Sequence, residues 1–165
     1  MNKLSIFATS LAATALLVGL PLSSQEIVVS PRSGSTYVAE VSKDLQQQMD
    51  AQDFDTGWAA AGIAKVRFQA GADGRAVNIR TYRRSGDRML DVRARQVVGR
   101  LSSLYPLPDG ASAGTVIQAN IIVARSRRHL DQLTRKLARE EAQRMAASPE
   151  ERTVLALTLV PGPAS

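Results

Sequence analysis

One segment near the middle of this 165-residue chain restricts the fold more than any other, because its residues alternate like those of a half-buried β-strand. Apolar and polar residues alternate strictly over Ala64–Gln69, which places the apolar ones on one face. Asp73-Gly74 then supplies a turn that accepts the positive φ values of a tight hairpin. The chain returns over Ala76–Tyr82, with Val77 and Ile79 expected to point inward. The sequence therefore predicts a β-hairpin.

Three further segments have helical periodicity. The first carries apolar residues at spacings of 3, 4 and 4, namely Val38, Val41, Leu45 and Met49. The second follows the helix-start signal Ser85-Gly86-Asp87 and carries Leu90, Ala94, Val97, Val98 and Leu101. The third is strongly charged, carries Leu130, Leu133, Leu137 and Met145, and is expected to stop near Ser148-Pro149. Each apolar stripe predicts one face packed against a core.

Two more segments are rich in apolar and β-branched residues. Thr115–Ala124 predicts a third strand, with Ile117, Ala119, Ile121 and Val123 on one face. Thr153–Val160 is either a fourth strand or a loosely docked tail. Among the aromatic residues, Trp58 and Tyr105 are expected to cover the core or the hairpin.

The N-terminus is typical of an export signal. A short positive start at Lys3 precedes Leu4–Leu22, which contains no charge, and small residues follow at Ser23-Ser24. Cleavage after Ser24 is the favoured outcome, and the alternative is an uncleaved anchor, since 19 helical residues span about 28 Å. We therefore expect an exported protein, soluble in the periplasm or held at the inner membrane with membrane contact through residues 4–22.

Composition excludes most catalytic and metal chemistry. The chain has no Cys, so it has no thiol nucleophile, zinc knuckle or disulfide framework, and its one imidazole is His129. No carboxylate, hydroxyl or imidazole group has the neighbours that a catalytic site requires. We expect a protein that is not an enzyme and that has no cofactor and no metal.

The charge is concentrated in one part of the chain. Residues 62–128 contain 13 Lys and Arg against four Asp, a net of +9. Export and the lack of interleaved aromatic residues argue against a nucleic-acid partner. The arginine clusters could instead bind an anionic partner. In the alternative interpretation they are a solvated surface. The candidate anion-binding residues are Arg83, Arg84, Arg125, Arg127 and Arg128.

A family resemblance rests on several short motifs in a fixed order. They are Gly62-Ile63-Ala64-Lys65-Val66-Arg67-Phe68, Asp73-Gly74-Arg75-Ala76-Val77, Arg84-Ser85-Gly86-Asp87, Leu90-Asp91, Ala94, Val97-Val98, Tyr105-Pro106, Pro108 and Val116 to Val123. Together they resemble the C-terminal domain of the TonB family of energy transducers. The resemblance implies a small ββαβ unit with an antiparallel sheet packed on a helix. Together with the flanking N- and C-terminal helices that periodicity predicts, this gives an α+β fold.

The resemblance and the flanking segments together divide the chain into four parts. Residues 1–24 are the signal peptide or anchor, and residues 25–61 are a polar linker with a short helix. Residues 62–128 are the TonB-like domain, and residues 129–165 are a charged helix with an apolar tail.

The resemblance also implies a binding mode. In the family, the last strand of the domain presents a free edge to an extended peptide of an outer-membrane receptor, which adds as a further strand. Here the edge would comprise Ile117, Gln118, Ala119, Asn120, Ile121, Ile122 and Val123. Gln118 and Asn120 would supply selectivity. The alternative is an internal strand covered by Thr153–Val160, because exposed apolar edges promote aggregation.

Two functions from different classes follow. The first is a periplasmic TonB-like module that binds an outer-membrane receptor or other envelope protein, with strand-swapped homodimerisation left open, in TonB-dependent transport. The second is a cationic envelope protein that holds an anionic lipid or polysaccharide on its arginines. The family's long Pro-rich spacer and anchor histidine have no counterpart in the sequence, which argues against force transmission.

Overall fold

The computed structural model describes residues 34–51 and 60–160, which form four helices and a four-stranded sheet. The helices are α1 (Gly34–Asp50), α2 (Arg88–Val98), α3 (Arg127–Ala147) and α4 (Pro149–Arg152). The strands are β1 (Gly62–Ala70), β2 (Ala76–Arg83), β3 (Val116–Val123) and β4 (Leu155–Leu159). No helix within these two ranges is long and apolar enough to cross a membrane. The predicted export signal and Trp58 lie outside the described residues.

The strands lie in the order β2-β1-β3-β4. Strand β1 is antiparallel to both β2 and β3, whereas β3 and β4 run parallel. The apolar face of the sheet packs with α1 and α2 in the main core, and α3 covers Ile63 and Ile122 on the opposite face. The predicted α+β class and ββαβ unit are confirmed, and the additional β4 makes the sheet mixed instead of purely antiparallel.

The hairpin forms where the alternation predicts it. At its turn the Gly71 backbone N donates to the Arg75 carbonyl at 2.7 Å, and Gly74 has a φ of 76°. A Cβ at Gly74 would lie 3.3 Å from the ring of Tyr105. Tyr105 therefore covers the hairpin turn, as predicted.

One side chain of β2 points in a direction that differs from the prediction. Val77 was expected to point inward, but 39% of it is exposed. Gln69 pairs with Val77 and Arg67 with Arg80, so two residues of β2 stand opposite one residue of β1. Such a bulge shifts the alternation of side chains by one residue. Asn78 in the bulge has a φ of 54°, a value that short polar side chains tolerate.

Helix α2 begins at the predicted signal. The Asp87 carboxylate accepts hydrogen bonds from the backbone N of Met89 at 2.8 Å and of Leu90 at 3.0 Å. These bonds satisfy two of the donors that a helix N-terminus leaves unpaired. The predicted apolar stripe is buried from this point to beyond the end of the helix, at Leu90, Ala94, Val97, Val98 and Leu101.

One buried carboxylate adds a polar link between helix α1 and the rest of the fold. Asp44 Oδ2 accepts from the backbone N of Ser102 at 2.9 Å and of Ser103 at 3.0 Å. Burial alone would raise the pKa of Asp44, but the hydrogen bonds from Ser102 and Ser103 outweigh it and lower that pKa. The carboxylate therefore stays ionised and links α1 to the segment that follows α2.

The main core includes segments that the sequence places outside the ββαβ unit. Tyr37, Val41, Leu45 and Met49 of α1 are fully buried, and Leu157 of β4 joins the same cluster. The described residues, 34–51 and 60–160, belong to one compact unit. Helix α1 and strand β4 are therefore structural parts of the domain.

We predict that Asp44→Ala lowers the free energy of unfolding by about 1–3 kcal/mol, because two backbone donors lose their acceptor. Urea denaturation measures the change. Asp50→Ala is the matched control, since Asp50 lies exposed at the end of the same helix and accepts only from Gln46 Nε2 among the described contacts. Equal losses in the two variants would contradict the role of Asp44.

Candidate functional site

The strand with the predicted binding edge lies inside the sheet. Strand β3 pairs with β1 along its whole length, from Val116 opposite Gln69 to Val123 opposite Gly62. On its other side, Ile117–Ile121 pair with β4. The expected free edge over these five residues is therefore wrong, and the alternative of a covered internal strand is correct. The physical reason is that β4 removes an apolar edge that would otherwise be open to other chains.

Strand β4 fills the place of an added strand. It runs parallel to β3, with Leu155 opposite Ile117 and Leu159 opposite Ile121. Its alternate residues Leu155, Leu157 and Leu159 pack in the main core, whereas Thr158 is exposed. The edge of β3 therefore accepts a short strand with apolar side chains at alternate positions. The remaining predicted edge residues, Ile122 and Val123, lie beyond the register paired with β4.

The two polar residues of β3 face α3 and do not face a bound strand. Gln118 and Asn120 are fully buried. Gln118 accepts from Arg67 Nε at 3.0 Å, and its Nε2 donates to Asn120 Oδ1 at 2.9 Å and to Glu141 Oε1 at 3.0 Å. Asn120 Nδ2 is buried without a hydrogen-bond partner among the described residues. This arrangement therefore argues against direct selection of a ligand by these two side chains.

An ionic network lies around Gln118 and joins β1 to α3 and α4. Lys65 Nζ is 2.8 Å from Glu141 Oε1 and 3.1 Å from Glu140 Oε2. Arg67 donates to both carboxylate oxygens of Glu151, at 2.9 and 2.5 Å. The Arg67 guanidinium also lies 3.4 Å from the centre of the Tyr82 ring, a cation–π contact. Both cations of β1 are thereby buried and paired.

Arg144 links the two acidic groups of this network. Its Nε is 2.7 Å from Glu141 Oε2, and its Nη1 donates to the backbone carbonyl of Glu151. The hydrogen bond from Arg67 lowers the pKa of Glu151. For Glu141, burial favours a higher pKa, but the hydrogen bonds from Lys65 and Arg144 outweigh it and the pKa is lowered. The two carboxylates therefore stay ionised in the folded protein.

The sequence contains a signal for this network that periodicity does not show. Only six Glu occur in the chain, and four of them lie at 140, 141, 150 and 151, after a stretch from 62 to 128 that has none. Lys65 and Arg67 occupy the polar positions of an alternating strand, which by itself predicts exposure to water. The acidic cluster further along the chain is the feature that indicates a cover over that face.

The predicted arginines lie at the end of β2 and around the start of α3. Arg83 Nη1 is 3.1 Å from Glu140 Oε1, so this residue contacts α3. Arg83 and Arg84 line a small cavity of about 230 Å³ with His129 and Lys136. The other three residues, Arg125, Arg127 and Arg128, lie exposed around the start of α3. Within residues 34–51 and 60–160, no cluster of His, Asp and Glu could hold a metal ion.

We predict that Glu151→Gln lowers the free energy of unfolding by about 2 kcal/mol. The loss is below the 3–5 kcal/mol of a fully buried pair, because 23% of the Glu151 side chain is exposed. Glu150→Gln removes the same charge one residue away, at an exposed side chain whose pKa is lowered by a hydrogen bond with Ser148, and should lower the stability much less. Urea denaturation of both variants tests this, and equal effects would contradict the role of the Arg67 pair.

The lowered pKa values of Asp44, Glu141 and Glu151 also predict how stability depends on pH. Their contribution is complete well above the pKa of an unfolded carboxyl group and is lost as the pH falls below about 4. Denaturation between pH 7 and pH 3 should show this decline. Glu151→Gln should show a shallower decline, because it lacks one of the three groups. Parallel curves would contradict the assignment.

The comparisons with known proteins give one match. A family model described as TonB C terminal matches residues 34–121, more than half of the chain. The matched range includes α1 and ends within β3, so α3, α4 and β4 follow it. No curated protein and no solved structure matches the chain.

Proposed function

The chain belongs to the TonB C-terminal family, and from this premise we propose that it binds an extended peptide of a membrane-transport partner by strand pairing at β3. The family comprises energy-transduction and binding modules of the cell envelope, not enzymes, and its domains interact with outer-membrane receptors. Under the proposal the protein works in the periplasm, after cleavage of its first 24 residues or anchored by them.

The observation that carries the proposal is the parallel pairing of β4 with β3. This pairing supports the proposal that the edge of β3 can hold one short added strand. A partner peptide in the same place would gain backbone hydrogen bonds along Ile117–Ile121. Its alternate apolar side chains would enter the positions that Leu155, Leu157 and Leu159 occupy.

Each residue of the predicted edge has a role under this proposal. Ile117, Ala119 and Ile121 form the apolar face that alternate peptide side chains contact. Gln118 holds the strand to α3 through Glu141, and Asn120 accepts a hydrogen bond from Gln118. Ile122 and Val123 extend the pairing surface beyond β4.

Strand β4 acts as a competitor under this proposal. It is tethered to the same chain, so its effective concentration at β3 is high, on the order of millimolar for a short linker. A partner peptide binds only the fraction of molecules in which β4 has left, which weakens its apparent affinity. Exchange of β4 between two copies would use the same edge and give a homodimer.

We predict that a variant truncated after Thr153 binds a synthetic peptide of residues 154–160 at least about tenfold more tightly than the full chain does, because its β3 edge is open. The truncation keeps the Arg67–Glu151 pair, which maintains α4 on the sheet. Fluorescence anisotropy of a labelled peptide with lysines added for solubility measures the binding.

The control is the same peptide with proline at the position of Leu157, which cannot complete the backbone pairing. Circular dichroism establishes that the truncated chain is folded. A folded truncated chain that binds neither peptide, or that binds both equally, would overturn the proposal.

The exposed Arg125, Arg127 and Arg128 support a second candidate function, the binding of anionic lipid or polysaccharide. Salt distinguishes the two functions. Binding through exposed arginines weakens steeply as the ionic strength rises, whereas strand pairing changes much less.

A further inference from the structure

A groove of about 790 Å³ runs between strand β2 and helix α2, at the end of the strand order opposite to β4. One wall consists of Ile79, Arg80 and Thr81, three consecutive residues of β2. Side chains alternate between the two faces of a strand, so a groove that touches three in succession follows the edge of the strand. In the described ranges no other strand lies beside this edge.

The other wall is one face of α2. Arg88, Asp91, Val92 and Arg95 line it at positions i, i+3, i+4 and i+7. Arg95 Nη1 donates to Thr81 Oγ1 at 2.7 Å, which fixes the distance between the helix and the strand. The hydrogen bond between Arg95 and Thr81 therefore holds the two walls of the groove together.

The groove is strongly cationic. Arg80, Arg84 and Arg88 are exposed along it, and among the residues that the structure describes no carboxylate lies within ion-pair distance of these three. Its one acidic residue, Asp91, is buried and accepts from the backbone N of Ser85 at 2.8 Å. Arg84 and Arg88 are thus available for an anionic ligand on the side of α2, whereas Arg80 pairs with Arg67 and points to the opposite face of the sheet.

We propose that this groove binds an extended acidic segment of a partner protein, whose backbone pairs with the edge of β2 and whose carboxylates contact Arg84 and Arg88. Between the two register shifts of β2, residues 79–81 offer backbone N–H and C=O groups with which an extended segment can pair. A guanidinium group binds a carboxylate through two parallel hydrogen bonds. Acidic residues at alternate positions would all face α2, and Ile79 and Val92 supply apolar contacts between the charges.

The shape of the groove favours a peptide over a lipid surface. The arginines flank a concave channel beside a strand edge, whereas a membrane surface presents its charges in a plane. The site is also independent of the one at β3. The two edges lie at opposite ends of the strand order, so both can be occupied at once.

The test uses the full chain and a fluorescein-labelled octapeptide that alternates glutamate and threonine. We expect measurable binding by fluorescence anisotropy at 50 mM salt. The glutamine-for-glutamate peptide should bind at least about tenfold more weakly, because it lacks charge-assisted hydrogen bonds. A peptide with proline in place of each threonine keeps the charge but cannot pair with β2, and it should weaken similarly.

Protein variants locate the site. Arg84→Gln combined with Arg88→Gln should weaken binding at least about tenfold. Arg135→Gln combined with Arg139→Gln is the matched control, since these residues are exposed on α3 and the net charge changes equally. Circular dichroism establishes that both variants are folded.

Three results would overturn the proposal. Equal losses in the two double variants would show an effect of net charge alone. Equal binding of the proline peptide would show a site for anions without strand pairing. Binding of heparin or of phosphatidylglycerol vesicles through Arg84 and Arg88, without binding of the acidic peptide, would assign the groove to polysaccharide or lipid.

Discussion

Lys65 and Arg67 on the central strand β1 are buried beneath helices α3 and α4, and the cost of desolvating these two cations must be offset by carboxylates. Glu140, Glu141 and Glu151 provide them. Without α3 and α4, this face of the sheet would be a charged surface open to water. With them, it becomes the interior of a second layer, in which Gln118 and Asn120 are also enclosed. The arrangement of the sheet and helices therefore depends on this ionic contact.

The same ionic contact determines how the edge of β3 is covered. A parallel strand needs a long crossover, and here α3 and α4 form it. Arg144 joins the two helices through Glu141 and Glu151, and the Arg67–Glu151 pair lies four residues before β4. The ionic network thus fixes the point from which β4 reaches β3. Charge on one face of the sheet and strand pairing at its edge are coupled through a few residues.

Features that depend on neighbouring residues were predictable from the sequence. The hairpin follows from alternation and Asp73-Gly74, and the start of α2 follows from Asp87, since both are decided within a few residues. Features that depend on distant partners were not. Lys65 and Arg67 have the pattern of exposed residues, and only the approach of α3 buries them. The bulge at Asn78 shifts a register that alternation alone predicts to be regular.

The candidate site shows the same limit. The sequence located β3 and its apolar face correctly, because Ile117, Ala119 and Ile121 alternate with polar residues. It left open whether the strand is an edge, since that depends on where Leu155–Leu159 dock. The arginines at 84, 88 and 95 were separate in the sequence, and only the packing of α2 beside β2 places them along one groove.

The order of the strands along the chain has a consequence for the time course of folding. Strand β3 ends at Val123 and β4 ends at Leu159, and the whole crossover lies between them. A chain synthesised from its N-terminus at about 5–20 residues per second completes β3 roughly 2–7 s before β4. Hairpin, α2 and β3 are then present while the edge of β3 is uncovered. During that interval the apolar edge of β3 has no cover from its own chain, so it is open to pairing with other strands until β4 is complete.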